Sequence, residues 1–199
     1  MTNVSADVER VFRDSGALRE GHFILASGQH SPLYLEKFQV LQHPVETERL
    51  CAALASWARL LDPETVAGPT TGGIILAHEV ARQLGVRAIY AERRENGTGR
   101  EFRRGFALRP GERVAVVDDI MTTGGSVQET IDAVRSAGGE VVGAAVLVDR
   151  SGGAHLDVPV EALWRLDIPS YPARECPLCA KGIPATHPGT TPARAVASR

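Results

Sequence analysis

Hydrophobic residues recur at helical spacing in two stretches of the N-terminal third of the chain. Residues 5–15 and residues 44–61 both place apolar side chains three and four positions apart, which predicts two amphipathic helices. Between them, residues 21–40 contain two short apolar runs around Ser-Gly and Ser-Pro turn signals. That pattern predicts a strand, a loop and a second strand.

From residue 64 onward the pattern changes to alternating apolar runs and helical periodicities. The apolar runs are nearly continuous, as expected for strands that are buried on both faces of a sheet. Such strands are parallel and are joined by crossover helices. The predicted strands cover residues 65–67, 87–91, 113–118 and 140–148, and the predicted helices cover residues 74–84 and 126–137.

The sequence therefore predicts an α/β fold, with a parallel sheet flanked by helices and a small N-terminal cap. We divide the chain into N-terminal helices and cap segment (1–62), an α/β core (63–168) and a C-terminal extension (169–199). The extension beyond Lys181 is rich in Pro, Thr, Ala and Arg, and we expect it to fray.

Composition and charge exclude several classes of protein. The formal net charge is −2 with acidic and basic residues mixed, which argues against a protein held to nucleic acid by phosphate contacts. The N-terminus has no apolar core of a signal peptide, and no apolar run approaches the length of a membrane span. Three cysteines without a secretion signal predict reduced thiols and a cytoplasmic location.

The most informative segment lies where the predicted strand 113–118 ends. Two acidic residues, a Thr/Gly run and a helix start follow one another there. In an open α/β sheet, ligands bind beyond the carboxyl ends of the strands, where this loop lies. Glycines allow the backbone close to an anion, and hydroxyls with helix-start amides can hold a phosphate. The segment consists of Asp118, Asp119, Ile120, Met121, Thr122, Thr123, Gly124, Gly125 and Ser126.

The two acids suggest a sugar beside the phosphate. Like charges repel, so Asp118 and Asp119 cannot both face a phosphate, whereas they can accept hydrogen bonds from ribose hydroxyls. They can also hold Mg²⁺ indirectly, through the sugar or water. Alternatively, the acids are turn residues and Ser126 only caps a helix, in a capping box with Glu129. Neither the dinucleotide nor the Walker glycine spacing is present in this loop.

The ordered string from Val114 to Ser126 resembles the phosphoribosyl pyrophosphate signature of type I phosphoribosyltransferases. From about residue 10 to residue 185, the chain resembles the orotate phosphoribosyltransferases among them. The other matching pieces are residues 21–23, 27–32, 68–73 and 148–150. The resemblance implies transfer of ribose 5-phosphate from phosphoribosyl pyrophosphate to orotate, with Mg²⁺ on the pyrophosphate, in a homodimer.

The resemblance also implies roles for individual residues. Arg150 would bind the orotate carboxylate, which a planar guanidinium suits, and Thr122 would contact the base. On position alone, a surface arginine at a turn is the favoured interpretation, and the family resemblance reverses it. Tyr34 could stack on a flat ring or belong to the core. A lysine that the family carries at position 26 is replaced by Ala26, and the segment 70–73 also lacks a family lysine.

The polar segment 92–104 matches a loop that closes over the pyrophosphate in the family. We expect a mobile surface loop, with catalytic cations from Arg93 and Arg94, because these residues leave the strand first. Relatives place lysines and a histidine in this loop, and this chain places five arginines there instead, some of which can be merely solvated. Asp118 and Asp119 complete the expected catalytic set.

Cys176 and Cys179 form a Cys-x-x-Cys pair. A structural zinc site needs about four ligands, and this pair with the distant His187 falls short of that number. Two ordinary thiols in a proline-rich turn are therefore the favoured interpretation. His22 and His30 are predicted to lie near the active site, or in the core or turns.

Two other functions remain possible from the sequence. A purine phosphoribosyltransferase would share the signature loop but would not need Arg150 opposite a carboxylate. A regulator that senses phosphoribosyl pyrophosphate on the same fold would carry a DNA-binding element. The predicted helix 44–61 offers only Arg49 and Arg59 as basic side chains, which does not indicate a recognition helix.

Overall fold

A computed structural model describes residues 4–25, 27–95 and 97–188. The helices are α1 (Val4–Asp14), α2 (Phe38–Leu41), α3 (Pro44–Arg59), α4 (Gly72–Leu84), α5 (Gly125–Ser136) and α6 (Pro177–Ala180). The strands are β1 (Leu18–Ile24), β2 (His30–Leu35), β3 (Thr65–Pro69), β4 (Arg87–Arg93), β5 (Arg100–Phe102), β6 (Arg113–Met121), β7 (Glu140–Asp149) and β8 (Val160–Arg165).

Six strands form the central sheet, in the order β5-β4-β3-β6-β7-β8. All neighbours in it are parallel except the antiparallel edge pair β4 and β5. β3 is buried along its whole length and β6 nearly so, which explains their continuous apolar runs. The predicted α/β class and its four parallel strands are confirmed, and the sequence analysis had not identified β8.

Helices cover both faces of this sheet. On one face, α1, α3 and α4 share a single apolar cluster with the sheet, so the two N-terminal helices are part of the main core. Phe12 of α1 lies 5.8 Å from Trp164 of β8 between ring centroids. Trp57 of α3 packs over Gly143 of β7, where a Cβ would come within 2.8 Å of its ring. On the other face, α5 packs through Ile131 and Val134.

The antiparallel strands β1 and β2 form a separate two-stranded hairpin, which we call the hood. This confirms the strand–loop–strand prediction for residues 21–40, except that Ala26 lies outside the described residues. Leu18 and Leu35 anchor the base of the hood in the main apolar cluster. The hood leads into Lys37 and α2, which border the cleft described below.

The expectation of a mobile loop at residues 92–104 is wrong in part. β4 continues to Arg93 and pairs with β5 as an antiparallel hairpin. The polar composition of this segment did not indicate a strand, because an edge strand needs only backbone pairing and one buried face. Ala91 and Arg100 supply that buried face on the two strands.

The expected fraying beyond Lys181 is also wrong for the described part of that segment. The amide of Ile24 donates to the carbonyl of Thr186 at 2.9 Å, and the amide of Thr186 donates to the carbonyl of His22 at 2.9 Å. The chain therefore continues along the hood through residue 188. Residues 189–199 lie outside the described residues.

A buried carboxylate joins three strands at the amino end of the sheet. Glu112 is 3% exposed and accepts hydrogen bonds from the Thr65 hydroxyl, the Arg109 amide and the Arg87 guanidinium. Burial alone would raise the pKa of Glu112, but these hydrogen bonds outweigh it and lower the pKa to about 2. The folded state therefore favours the ionised carboxylate.

We predict that Glu112→Ala lowers the free energy of unfolding by about 2–4 kcal/mol, because it leaves buried donors without an acceptor. Since folding lowers the pKa of Glu112, its stabilisation is present above about pH 4.5 and is lost as the pH falls toward 2. Urea unfolding between pH 3 and pH 7 should show that the free energies of unfolding of wild type and Glu112→Gln converge at low pH.

The matched control is Glu64→Gln, which changes an exposed carboxylate at the same edge and should change stability much less. Parallel curves for wild type and Glu112→Gln would contradict the assignment.

Candidate active site

A cleft of about 520 Å³ lies between the end of the hood and the carboxyl ends of β6 and β7. Its size suits a small-molecule ligand. Its lining residues are Tyr34, Leu35, Glu36, Lys37, Phe38, Asp119, Ile120, Thr122 and Arg150. The structure therefore brings together Asp119, Thr122, Arg150 and Tyr34, which the sequence analysis had placed at one site.

The loop after β6 has the form expected of a phosphate cradle. Thr122 and Thr123 are exposed, and α5 begins two residues later, at Gly125. Gly124 has φ 81°, in the left-handed region that a side chain would strain. The first amides of a helix lack intrahelical acceptors and carry the positive end of its dipole. The hydroxyls and these amides thus face solvent together and can receive an anion.

Ser126 and Glu129 do not form the capping box that their spacing predicted. The N-cap residue of α5 is Gly124, which has no side chain to cap the helix, and the Gly125 amide donates to Thr123 Oγ1 at 3.4 Å. The Ser126 hydroxyl donates instead to Asp118 Oδ2 at 2.6 Å. Glu129 Oε2 lies 3.3 Å from Arg100 Nε. Tertiary partners across the cleft therefore replace the local hydrogen bonds of a capping box.

Asp118 is held in an environment that disfavours its charge. It is 5% exposed and adjacent to the equally buried Asp119. Burial first, and then the charge of Asp119, raise the pKa of Asp118 to about 6, against the opposing hydrogen bond from Ser126. A carboxyl of this kind gains from any ligand that donates hydrogen bonds to it.

Asp119 is balanced by a lysine that the sequence analysis missed. Lys37 Nζ lies 2.9 Å from both carboxylate oxygens of Asp119. Lys37 follows β2 and lies 82 positions away in the sequence, so no local pattern connects the two residues. The pair joins the hood to the end of β6.

The glycines after β3 serve the packing of this carboxylate. A Cβ on Gly72 would collide with Asp119 Oδ2, and a Cβ on Gly73 would approach Pro69 Cδ at 2.6 Å. Gly72 and Gly73 are both buried at the start of α4. Both glycines are therefore required for packing within the protein, against Asp119 and Pro69.

Arg150 lies half-buried across the cleft from the hood. Its amide donates to the carbonyl of Met121 at 2.9 Å, which ties the start of its loop to the end of β6. Burial lowers the pKa of Arg150 against the opposing influence of Tyr34. No carboxylate pairs with its guanidinium within residues 4–25, 27–95 and 97–188. The guanidinium is thus available to a ligand anion.

The other residues of the predicted site differ in whether their side chains line the cleft. Ile120 lines the cleft, whereas the Met121 side chain is 2% exposed and packs in the core against the α5 face. Tyr34 borders the cleft and packs on Phe23 with ring centroids 5.7 Å apart. Tyr34 is therefore half-buried at the edge of the cleft, and its stacking on a flat ring stays a prediction.

The arginines of the β4–β5 hairpin fall into two groups. Arg93 and Arg94 are exposed, and the Arg94 guanidinium donates to the carbonyl of Arg100 at 3.3 Å. Arg100 is 5% exposed and donates to the Thr70 hydroxyl at 3.0 Å and to the carbonyl of Ala91 at 3.1 Å. Arg100 thus lies between the loop after β3 and the start of α5. The sequence analysis had not singled it out.

Comparison with known proteins agrees with this geometry. Residues 39–161 match the family model described as phosphoribosyl transferase domain. The chain is 51% identical over 181 residues to an orotate phosphoribosyltransferase from Desulforamulus reducens, covering 90% of this chain and 94% of that one. A second relative of the same description, from Pelotomaculum thermopropionicum, is 51% identical over 92% of this chain and 96% of its own.

Solved structures give the same result. An orotate phosphoribosyltransferase from Aeropyrum pernix has a TM-score of 0.70 at 30% identity, covering 80% of this chain and 93% of that chain. An adenine phosphoribosyltransferase from Thermoanaerobacter pseudethanolicus has a TM-score of 0.59 at 19% identity, covering 67% of this chain and 88% of that chain, and shares the fold alone. From the family match and the two relatives at 51% identity, the chain belongs to the orotate phosphoribosyltransferase family.

Proposed function

We propose that this protein transfers ribose 5-phosphate from phosphoribosyl pyrophosphate to a ring nitrogen of orotate, giving orotidine 5′-phosphate and pyrophosphate. The reaction serves pyrimidine nucleotide synthesis. The observation that carries the proposal is the guanidinium of Arg150, which has no carboxylate partner in the described chain and shares one cleft with Asp119 and Thr122. A base that carries a carboxylate suits that position better than a purine does.

The ribose phosphate end of the donor binds along the loop from Asp118 to Ser126. The 5-phosphate lies at the hydroxyls of Thr122 and Thr123 and at the first amides of α5. The ribose hydroxyls donate to Asp118 and Asp119, whose charges burial has left poorly solvated. Hydrogen bonds to an ionised acceptor of this kind are strong, so they fix the sugar with its anomeric carbon toward the base.

Orotate lies between the hood and Arg150. The planar guanidinium donates paired hydrogen bonds to the orotate carboxylate, and Thr122 contacts the ring edge. Tyr34 borders the same space and offers an aromatic face to the ring. These contacts hold the attacking nitrogen in line with the bond to pyrophosphate.

The leaving pyrophosphate lies toward the loop after β3 and the β4–β5 hairpin. Arg93 and Arg94 are the exposed cations of that hairpin, and Arg100 is the buried cation behind them. Positive charge here stabilises the pyrophosphate as the sugar bond breaks.

Mg²⁺ fits this site as a partner of the donor rather than as a protein-held ion. Lys37 pairs with Asp119 and Ser126 donates to Asp118, so both carboxylates already have partners within the protein. Mg²⁺ bound to the pyrophosphate neutralises its charge. Asp118 and Asp119 then act on the same complex through the sugar hydroxyls or water.

The chain's own contribution to rate is positioning and charge stabilisation. No covalent intermediate with the protein is required, because the sugar passes directly from pyrophosphate to the ring nitrogen. Closure of the β4–β5 hairpin excludes water that would otherwise attack the sugar. Gly97 and Gly99 have φ 76° and 74°, a region that glycine adopts without strain.

We also propose that the enzyme works in the cytoplasm as a homodimer. In the described part of the chain, the helices are too short or too polar to cross a lipid bilayer. Phosphoribosyl pyrophosphate and orotate are its small-molecule partners.

The activity test uses purified protein with Mg²⁺, phosphoribosyl pyrophosphate and orotate. We predict loss of orotate absorbance with equimolar release of pyrophosphate, and no turnover of adenine or hypoxanthine. Arg150→Ala should raise the KM for orotate about 10- to 100-fold, the range for loss of charge-assisted hydrogen bonds, and leave the KM for the donor nearly unchanged. Turnover of a purine but not of orotate would refute the proposed substrate.

The matched control for Arg150→Ala is Arg10→Ala, an exposed arginine of α1 that pairs with Asp7. It should leave both KM values unchanged. Equal increases in the two KM values of Arg150→Ala would contradict the role of Arg150 at the base.

Asp118→Asn should lower activity and raise stability at neutral pH. Burial raises the pKa of Asp118 from 3.8 to about 6, so its contribution to stability is complete below pH 4 and is lost as the pH rises through 6. Removing the charge should therefore stabilise the variant by roughly 1–3 kcal/mol at pH 8 and by much less at pH 4. Its kcat/KM for the donor should fall about 10- to 100-fold. Urea unfolding at both pH values and steady-state kinetics measure the two effects. A variant less stable than wild type at pH 8 would contradict this account.

The hairpin arginines can be separated by substitution. Arg93→Ala and Arg94→Ala should each lower kcat/KM for the donor about tenfold, without a change in stability or in the KM for orotate.

Arg100→Met should lower both activity and melting temperature, because it leaves Glu129 without its partner. Arg104→Ala, an exposed arginine of the same hairpin, is the control. Equal losses in all four variants would show a general charge effect instead of specific contacts.

A further inference from the structure

Four metal-binding side chains meet where the hood touches the C-terminal extension. His22 lies on β1, His30 begins β2, and Cys176 and Cys179 flank the start of α6. Their ligand atoms all lie within 4.8 Å of one another. The C-terminal extension is brought there by backbone pairing, since His30 exchanges hydrogen bonds of 2.8 Å with Tyr171. We call these four residues the hood cluster.

The distances within the hood cluster resemble those of a tetrahedral site. Cys179 Sγ lies 3.3 Å from His30 Nδ1 and 3.7 Å from His22 Nε2, and Cys176 Sγ lies 3.5 Å from His22 Nε2. Zinc bonds of about 2.0–2.1 Å to nitrogen and 2.3 Å to sulfur imply ligand atoms about 3.3–3.8 Å apart. The two nitrogens are closer, at 2.7 Å, so their rings would separate slightly around an ion.

The hydrogen bonds around His22 set its protonation for metal binding. His22 Nδ1 lies 2.7 Å from the carbonyl oxygen of Ile183, which can only accept, so Nδ1 carries the proton. In this tautomer, the lone pair of Nε2 points toward His30 and both sulfurs. In metal sites, histidine ligands are commonly oriented in this way, by a hydrogen bond from the ring nitrogen that does not bind the metal to a backbone carbonyl.

Apart from its hydrogen bonds with the hood, the C-terminal extension has little buried surface to hold its conformation. Between residues 169 and 188, all of them described, Cys176 is the sole buried residue. The hood itself has only two strands, and an isolated two-stranded hairpin is marginally stable at best. Apolar burial therefore cannot account for the defined contact between these two segments, whereas a shared metal ion can.

We propose that His22 Nε2, His30 Nδ1, Cys176 Sγ and Cys179 Sγ bind one Zn²⁺ ion that joins the hood to the C-terminal extension. Two imidazoles and two thiolates form a set that suits zinc. Both thiols lose their protons to solvent as the two Zn–S bonds form, and the His30 proton moves from Nδ1 to Nε2 so that Nδ1 can bind the ion. Four protein ligands fill the tetrahedral coordination, so the ion is structural and takes no part in the transfer reaction.

This site is independent of the proposed substrate. It lies at the far end of the same hood that carries Tyr34 and Lys37 to the cleft. The ion therefore stabilises the segment that covers the base without touching it. Metal content and thermal stability test the site even if the substrate assignment fails.

The experiment measures metal in the full-length protein after purification without chelator. Elemental analysis should find about one zinc per chain, and Co²⁺ exchanged into the site should show the intense visible bands of tetrahedral thiolate coordination. Cys179→Ser and His30→Asn should each lose at least about nine-tenths of the metal. Removing zinc from wild type should lower the melting temperature by roughly 10 °C, and adding it back should restore the value.

Two control variants separate the hood cluster from other residues of the same types. Cys51→Ala removes the buried cysteine of α3, and His155→Asn removes an exposed histidine beyond β7. Both should keep one zinc per chain. Three results would overturn the proposal. The purified wild type could hold no zinc and take up none, it could join Cys176 to Cys179 in a disulfide, or it could hold the same amount of metal as Cys179→Ser and His30→Asn. Because chelation and re-addition use unaltered protein, the result does not depend on whether a variant folds.

Discussion

Two adjacent carboxylates at the end of β6, both almost inaccessible to solvent, are the constraint on which the rest of the cleft depends. Burial of two like charges side by side is unfavourable unless each has a partner. Asp119 is neutralised by Lys37, which follows the hood, and Asp118 is stabilised by hydrogen bonds, of which Ser126 gives the shortest, and by the charge of Lys37. The segment after the hood, the start of α5 and the glycine at position 72 thus all meet at this pair.

The imbalance between the two carboxylates has a functional consequence. Asp119 already has a counter-ion, so it is a fixed part of the wall, whereas Asp118 keeps a pKa raised to about 6 and therefore an unmet demand for hydrogen-bond donors. In the proposed function, two neighbouring ribose hydroxyls of the donor would meet that demand. The protein would then retain a locally unfavourable arrangement that its substrate relieves, as is common where a site breaks the rules that the rest of the fold obeys.

Sequence reasoning reached the fold and half of the site because those parts depend on local patterns. The strand, acids, Thr/Gly run and helix after residue 113 are contiguous, and Arg150 directly follows an apolar strand. Lys37 and Arg100 could not be found in this way, since Lys37 meets Asp119 across 82 positions and Arg100 is buried within a segment of solvent-exposed composition. The capping-box prediction failed for the same reason, because tertiary partners displaced the local hydrogen bonds of Ser126.

The hood cluster extends this argument to the whole chain. The sequence analysis counted ligands near Cys176 and Cys179 and found too few, while His22 and His30 lie about 150 positions earlier and were weighed separately. Only the pairing of the C-terminal extension with the hood joins the two halves of the set. The extension has almost no buried surface of its own, so we expect the proposed ion to strengthen the hydrogen-bonded contact that holds the outer end of the hood. Lys37, which pairs with Asp119, directly follows the hood. The hood cluster and this ion pair therefore hold the two ends of one structural element, the hood.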